Sequence, residues 1–379
     1  MIDTIIYEEN QNLSRTAMME GGRLAELDIF DRNRAAEGDI YLSKIVHKLE
    51  LANGKSGFFL DIGDGHDAFL NAEESGLNEA NFTEGQSIVV QVSQEKRAEK
   101  GAKVIRALQF VGNYIVYCPF QMNVTASSKV TDIAKLDEYK HLVKENMGAQ
   151  EGWILRTNSI EVDFSEIKKE METLHKIYDE VRQKARSAKA PVLLFSRENR
   201  LQEHINRNLS GIRKIIVNNH NVEKSLMEKF EGKLEVEYAK SPFDDFNLED
   251  EIEDALLPTV TLKNGGRITI EETKAFVAID VDSGSDNGAG KATALNTEAA
   301  IEIARQIRLR NLSGKIIVDF AGSSDYKLIK PIIDVLNEEF KKDYTKTNVL
   351  GLSKAGNIEI LRVRRRPSLR DSLADDRNN

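Results

Sequence analysis

The chain has 379 residues, of which 40% are hydrophobic and 30% are charged, and its formal net charge is −9. This length predicts two or three domains with ample buried cores. The acidic balance argues against a protein that coats nucleic acid nonspecifically, because phosphate binding relies on Lys and Arg, although a local basic track stays open. The single cysteine, Cys118, excludes an internal disulfide framework and any Cys-paired zinc site within one chain.

No apolar run approaches the roughly 18 residues that a membrane span needs. The N-terminal residues 1–12 lack the basic start and apolar centre of a signal peptide. We therefore expect a cytoplasmic protein without a membrane span. The six histidines show no spacing typical of metal ligands.

Residues 40–110 alternate between apolar and polar positions and are interrupted by Gly, Asn and Asp turns, which predicts a small barrel of short strands. Phe59 and Phe69 flank the turn IGDGHD, and Lys100 lies in the loop EKRAEKG. Two aromatic rings beside a cation on such a barrel suit the stacking of unpaired bases. The alternative is that both phenylalanines belong to the barrel core.

The clearest helix is predicted over residues 165–188, with Asp163 and Ser165 as candidate caps. Its apolar side chains recur at three- and four-residue steps and indicate core packing: Ile167, Met171, Leu174, Tyr178, Val181 and Ala185. Before it, Arg156 and Thr157 follow a short apolar strand in EGWILRTNS. A guanidinium beside a hydroxyl suits a terminal phosphate, although this pair alone is a weak signal.

An α/β layer is predicted next, from a strand at residues 191–195, a helix at 196–209 and a strand at 212–219. A hairpin follows at Asn264–Gly266, a second turn near 271–274, and a helix over 296–310.

Three aspartates follow or end two apolar strands in FVAIDVDSG, residues 276–284, and KIIVDF, residues 315–320. Because the side-chain period of a strand is two, Asp280 and Asp282 project to the same face. Asp319 reaches the same edge if the two strands are neighbours. Carboxylates this close repel one another unless a cation lies between them, and a site with oxygen ligands alone suits magnesium or manganese. The alternative is that these aspartates only cap turns.

Basic residues concentrate near the C-terminal end. Arg305, Arg308, Arg310 and Lys315 cluster between the two Asp strands, and residues 361–370 read LRVRRRPSLR. This concentration of positive charge in an acidic chain favours a polyanionic ligand at the C-terminal end. A solvated tail, and arginines that complement a helix dipole, are the alternatives.

Taken together, these segments resemble the catalytic half of the RNase E/G family of bacterial endoribonucleases. The resemblance runs over nearly the whole chain and includes GDIYLSKI, FFLDIG, DAFL, EKRAEKGA, VGNYIVYCP, GWILRT and NGGRITIEETKAFVAIDVDSG. The run from residue 264 to residue 320 is specific in both order and spacing.

The resemblance implies an α/β multi-domain architecture. An RNase H-like layer would be split between residues 1–36 and 199–254, with an S1-like OB barrel inserted at 37–112. A 5′-sensor region would occupy 113–198 and a DNase I-like α/β domain 255–379.

Carried over residue by residue, the resemblance implies that Asp280 and Asp319 ligate magnesium and that Asp282 supports the site. Phe59, Phe69 and Lys100 would hold RNA. The residues implied to bind a 5′-monophosphate are Arg156, Thr157, Gly112 and Val116.

The implied reaction is magnesium-dependent hydrolysis of single-stranded RNA, from rRNA precursors or mRNA, that leaves 5′-phosphate and 3′-hydroxyl ends and is stimulated by a 5′-monophosphate. The family usually continues into a Cys-x-x-Cys zinc link between protomers. This chain resembles a short branch without it, so no zinc is expected, and a homodimer would form through the DNase I-like domain. The alternatives are a noncatalytic RNA-binding protein of the same fold and a phosphohydrolase for small molecules, which would not need the barrel.

Overall fold

A computed structural model describes residues 1–51, 56–72, 82–96, 100–127, 130, 132–196, 200–230, 232–283, 289–321 and 326–376. The chain forms two compact units, one made of Met1–Arg32 with Leu201–Asn379 and the other of Asn33–Arg200. The first unit is therefore split in sequence by the second. Of the helices in these residues, none combines the length and the apolar character needed to cross a bilayer.

The first unit begins with an antiparallel meander of three strands, β1 (Thr4–Glu9), β2 (Leu13–Glu20) and β3 (Arg23–Asp31). Gly21 and Gly22 form the turn between β2 and β3, both with positive φ. This turn conformation favours glycine because a Cβ would be strained there.

The second unit begins with a closed barrel of five described strands, which confirms the predicted OB-like barrel. The strands are β4 (Ile40–Glu50), β5 (Ser56–Asp61), β6 (Asp67–Asn71), β7 (Ser87–Gln94) and β8 (Lys103–Ile105). They pair in the order β4-β5-β6-β8-β7, and β7 pairs again with β4 to close the ring. The core is filled by alternate side chains, among them Phe58, Leu60, Leu70, Val90 and Val104.

The rest of the second unit is a small sheet covered by two helices. Its elements are β9 (Phe110–Val111), β10 (Ile115–Cys118), β11 (Val124–Ala126), α1 (Ile133–Asn146), β12 (Gly152–Leu155), a 3-10 turn (Thr157–Glu161), α2 (Phe164–Ser187) and β13 (Val192–Phe195). The sheet order is β11-β12-β10-β9. The predicted stripe of α2 is core, because Ile167, Met171 and Leu174 are buried with Trp153. Asp163 is the N-cap of α2.

The strand predicted at residues 191–195 exists, but its partner differs from the predicted layer. β13 pairs antiparallel with β4 and so belongs to the barrel sheet. The strand that follows it in sequence pairs elsewhere, with β1. Sequence adjacency therefore did not identify the partner of β13.

The first unit resumes with elements that extend the β1–β3 meander into a mixed sheet. They are α3 (Arg200–Asn208), β14 (Lys214–Val217), α4 (His220–Phe230), β15 (Glu235–Tyr238), α5 (Pro242–Asp245) and α6 (Leu248–Leu256). β14 runs parallel to β1 and β15 parallel to β14, which gives the order β15-β14-β1-β2-β3.

A second sheet completes this unit. Its elements are β16 (Thr259–Thr261), β17 (Arg267–Glu272), β18 (Val277–Asp282), α7 (Ala289–Leu309), β19 (Gly314–Asp319), α8 (Tyr326–Phe340), β20 (Thr347–Leu352), β21 (Ile358–Arg362) and α9 (Leu369–Asp376). The order is β16-β17-β18-β19-β21-β20, in which only β18 and β19 are parallel among the described pairs. α7 is the crossover between them. It begins seven residues before the predicted start at residue 296.

One face of this second sheet packs on α7 and α8. Val277, Ile279 and Val281 of β18 are buried with Ile316 and Val318 of β19. Burial of each such side chain contributes about 1.5–3 kcal/mol, which fixes the register of both strands. The alternate residues, including the aspartates, must then point away from the helices. We call that side the open face.

Candidate functional site

Asp280 and Asp319 lie directly opposite each other on the open face. They are register partners on the parallel strands β18 and β19. Neighbouring strands are about 4.8 Å apart, and paired residues point to the same side. Both aspartates are exposed, whereas the residues before them, Ile279 and Val318, are buried. The structure therefore brings together the two carboxylates that the sequence singled out.

Asp282 shares this face but has a partner of its own. It is the register partner of Arg267 on β17. The guanidinium of Arg267 donates two hydrogen bonds to Oδ2 of Asp282, from Nη2 at 2.6 Å and from Nε at 3.1 Å. Asp282 lies two residues, or about 6.6 Å, beyond Asp280 along the strand. This geometry suits a supporting role for Asp282 and places one cation beside the carboxylate pair.

Sequence reasoning missed Thr269, which is the register partner of Asp280 on β17. Its neighbours Ile268 and Ile270 are buried, so the Thr269 hydroxyl points to the open face with Asp280. The hairpin turn between β17 and β18 fixes this register: the Thr273 N–H donates to the carbonyl of Phe276 at 3.0 Å, close to the turn predicted near residues 271–274. The hairpin could be read from the sequence, but the pairing of residue 269 with residue 280 could not.

The donor set fits magnesium. Mg²⁺ keeps several waters and is usually bound through one or two carboxylates, which Asp280 and Asp319 supply. Both carboxylates offer hard oxygen donors at exposed positions that water can reach. Across the described residues, no group of three or more His, Cys, Asp or Glu side chains is arranged to hold a metal ion. The residues just after each strand, 284–288 and 322–325, lie outside the described part of the chain.

The prediction that the helix arginines form a basic track for a polyanionic ligand is wrong. Arg305 pairs with Glu302 at 2.6 Å. Arg308 is 5% exposed and lies near carboxylates of β2 and β3. Arg310 is 4% exposed and donates to the carbonyl of Leu257, and its burial lowers its pKa to about 10. These side chains are part of the core of the unit, and Lys315 is the exposed cation of the four.

The C-terminal basic run is also packed rather than a solvated tail. Arg362 forms a buried ion pair with Asp343, with Nε and Oδ2 2.7 Å apart. Arg366 pairs with Asp28 of β3 at 3.2 Å. These arginines therefore hold the last segment of the chain against the rest of its unit.

Phe59 and Phe69 lie side by side on the outside of the barrel. They are register partners on β5 and β6, and their ring centroids are 5.6 Å apart. The adjacent residues Phe58 and Leu60 are fully buried, so the core is filled without them. Phe59 is 36% exposed. The alternative that both rings belong to the core is thus wrong, and we call the pair the aromatic platform.

Two basic side chains that the sequence did not identify flank the aromatic platform. His47 is the register partner of Phe59, and Lys103 is the register partner of Phe69. Lys100 is exposed and lies three residues before Lys103. It is followed by Gly101, where a Cβ would overlap the carbonyl of Asp67. The cation beside the rings is therefore Lys103, with Lys100 farther along. Only the strand pairing reveals this.

Arg156 and Thr157 follow β12, as predicted, and meet the turn between β9 and β10. The Arg156 Nη1 donates to the carbonyl of Gly112, and the Arg156 backbone N–H donates to Tyr114 O at 2.8 Å. Thr157 is exposed, and its hydroxyl contacts that of Ser127 at 3.2 Å. Val116 lies inside β10 and is 8% exposed. The structure thus brings Arg156, Thr157 and Gly112 together, while the Val116 side chain is buried.

Comparison with known proteins identifies relatives of this chain. The model of the Ribonuclease E/G family matches residues 109–365. Ribonuclease G of Escherichia coli (strain K12) is 29% identical over 395 aligned positions, which cover 96% of this chain and 80% of that protein. Ribonuclease G of Haemophilus influenzae is 28% identical, over 98% of this chain and 82% of that protein. Ribonuclease E of Escherichia coli (strain K12) is 28% identical, over 97% of this chain and 37% of that protein.

The fold and the carboxylate pair define an α/β protein with an OB-like barrel and an acidic site on a sheet. The chain belongs to the Ribonuclease E/G family. The resemblance read from the sequence is confirmed.

Proposed function

We propose that the protein is a magnesium-dependent endoribonuclease that hydrolyses single-stranded RNA and leaves 5′-phosphate and 3′-hydroxyl ends. The observation that carries this proposal is the register of Asp280 with Asp319 on an exposed face, in a chain whose relatives are named ribonucleases.

Each described group has a role in the proposed reaction. Asp280 and Asp319 would hold Mg²⁺, which when bound polarises a phosphoryl oxygen and lowers the pKa of an attacking water. Arg267 holds the carboxylate of Asp282 in one orientation and adds positive charge beside the phosphate. Thr269 offers a hydroxyl next to Asp280.

The second unit supplies RNA binding in this proposal. The aromatic platform would stack unpaired bases, with Lys103 and Lys100 near the backbone phosphates. Arg156 and Thr157 would bind a 5′-monophosphate through charge-assisted hydrogen bonds, so that 5′-monophosphorylated RNA is cut faster. Base stacking on the aromatic platform and binding of the 5′-monophosphate would both act on unpaired RNA, which fits a single-stranded substrate.

The test is cleavage of a single-stranded oligoribonucleotide with and without Mg²⁺, using wild type, Asp280→Asn, Asp319→Asn and a matched control. Glu271→Gln is the control, since Glu271 is an exposed carboxylate of β17. We expect both Asp variants to lose cleavage and to retain RNA binding, and Glu271→Gln to remain active. EDTA should stop the wild-type reaction, and Mg²⁺ should restore it.

Three results would contradict the proposal. Full cleavage by either purified Asp variant would remove the metal-site assignment. Binding of RNA by wild type without cleavage in Mg²⁺ or Mn²⁺ would favour the noncatalytic alternative. Turnover of a small phosphodiester with no action on RNA would favour a phosphohydrolase.

We propose further that two chains associate through residues 255–379. Exposed apolar side chains in this region support it, since Leu350, Leu361 and Val363 are 61%, 42% and 43% exposed. Light scattering should give the mass of a dimer for wild type and of a monomer for Leu361→Glu. Met227→Glu, which changes an exposed side chain of α4, should remain a dimer. A monomeric wild type would contradict the proposal.

A further inference from the structure

The carboxylate of Glu170 binds three consecutive backbone N–H groups of a turn far away in sequence. Glu170 lies on α2 and accepts from Asn113 at 2.5 Å, from Tyr114 at 2.7 Å and from Ile115 at 3.1 Å. Successive N–H groups that converge in this way form an anion-binding nest, and here a side chain fills it. Hydrogen bonds to a charged acceptor are the strong ones, so Glu170 fixes the conformation of residues 112–115.

Gly112 permits this approach. A Cβ at Gly112 would lie 2.6 Å and 2.8 Å from the two carboxylate oxygens of Glu170. Gly112 does not have a positive φ, so steric space, and not backbone conformation, accounts for the glycine. The sensor glycine implied by the family resemblance is therefore explained by a carboxylate that no sequence pattern pointed to.

The same turn orients Arg156. The carbonyl of Gly112 accepts from Arg156 Nη1, and the carbonyl of Tyr114 accepts from the Arg156 backbone N–H. A guanidinium has five donors in a rigid fork, so one donor held by a carbonyl leaves the others aimed in a defined direction. Thr157, the next residue, is exposed beside it.

We propose that Glu170 is a positioning residue for the 5′-phosphate site: it closes the nest at residues 113–115 and, through the carbonyl of Gly112, sets the direction of the Arg156 guanidinium. This rests on the proposed binding of a 5′-monophosphate by Arg156 and Thr157. Because Glu170 fills the nest, an incoming phosphate is left with the Arg156 and Thr157 donors.

The test compares 5′-monophosphorylated and 5′-hydroxyl forms of one oligonucleotide, and its readout is the ratio of the two kcat/KM values. Glu170→Gln keeps the shape of the side chain but loses its charge and turns one acceptor into a donor. We expect the preference for the 5′-phosphate to fall about 10-fold, mainly through KM, with the 5′-hydroxyl rate within about twofold of wild type. Glu172→Gln, at an exposed position two residues further along α2, should leave the ratio unchanged.

A second variant tests the same link without changing the carboxylate. Gly112→Ala puts a methyl group where the Glu170 oxygens lie, so it should lower the preference to a similar degree. Thermal unfolding of each variant checks that it is folded at the assay temperature. If Glu170→Gln and Gly112→Ala lower only the unfolding temperature and retain the wild-type ratio, Glu170 is a structural clamp and the inference is overturned.

The failure of this inference can be told apart from failure of the proposed function. A wild type without any 5′-phosphate preference, or an Arg156→Ala variant that retains it, would contradict the sensor itself. Loss of the preference in Arg156→Ala but not in Glu170→Gln would overturn only the role of Glu170.

Discussion

Arg267 and Asp282 face each other across two antiparallel strands, and the guanidinium binds a single oxygen, Oδ2, of the carboxylate from two nitrogens. The pair is on the same sheet face as Asp280 and Asp319, and Asp282 lies two residues beyond Asp280 along β18. A carboxylate held in this way is oriented by its cation.

We expect Asp282→Asn to slow cleavage by roughly 10- to 100-fold, the range found for partners that orient metal ligands. Arg267→Ala should have an effect of the same order. The double variant should lose little more than the worse single variant, because the two residues act as one unit. Single-turnover cleavage rates at saturating Mg²⁺ measure this. If Asp282→Asn were as inactive as Asp280→Asn, a supporting role would be ruled out.

The aromatic platform leads to a prediction about RNA affinity. Stacking is worth about 1–3 kcal/mol per base, so Phe59→Ala should weaken binding of single-stranded RNA by roughly 5- to 150-fold. The double change with Phe69→Ala should be less than additive, because the rings touch. Phe120→Ala is the matched control, since Phe120 is an exposed phenylalanine of the same unit, outside the platform. Equal losses for Phe59→Ala and Phe120→Ala would contradict specific stacking.

Part of this site could be read from the sequence because strand alternation has a fixed period. The period of two places Asp280 opposite in direction to Ile279, and Phe59 opposite to Phe58, once a core is assumed. The turn predicted near residues 271–274 added the hairpin that leads into β18. These signals are local, and local signals are what one sequence contains.

Residues whose roles depend on pairing could not be read in this way. Thr269, His47 and Lys103 became part of the site description only through strand register, and Glu170 only through the packing of α2 on a turn more than 50 residues earlier. The prediction for the arginines was wrong for the same reason. The partners of Arg308 and Arg366 are carboxylates of the first three strands, hundreds of residues away, so a dense basic run looked free.

The hydroxyl of Thr157 gives a separate test of the 5′-phosphate site. Thr157→Val keeps the shape of the side chain and removes a donor. The advantage of 5′-monophosphorylated RNA should therefore fall by roughly 10- to 150-fold, since one hydrogen bond to a charged group contributes about 1.5–3 kcal/mol. The 5′-hydroxyl substrate should be cut at the wild-type rate. Thr125→Val, on the nearby strand β11, serves as the control. An unchanged advantage in Thr157→Val would exclude the hydroxyl from the site.

The buried pair of Asp343 and Arg362 predicts a defined pH dependence of stability. Burial alone raises the pKa of Asp343, but the charge and hydrogen bonds of Arg362 outweigh it, and the pKa is lowered from 3.8. A lowered folded-state pKa means that the stabilisation is complete above the unfolded value and is lost as pH falls through the folded value. Asp343→Asn should therefore lower the free energy of unfolding by about 3–5 kcal/mol at pH 7, because it leaves a buried guanidinium unpaired.

The difference between wild type and Asp343→Asn should stay constant from pH 7 down to about pH 4, and then shrink as Asp343 itself becomes protonated. Denaturant unfolding at a series of pH values measures it. Glu338→Gln is the control, because the ion pair of Glu338 with Lys341 is exposed on both sides and such pairs contribute about 0–1 kcal/mol. A difference that already shrinks between pH 7 and pH 5 would show that the Asp343 pKa is raised, and that burial outweighs Arg362.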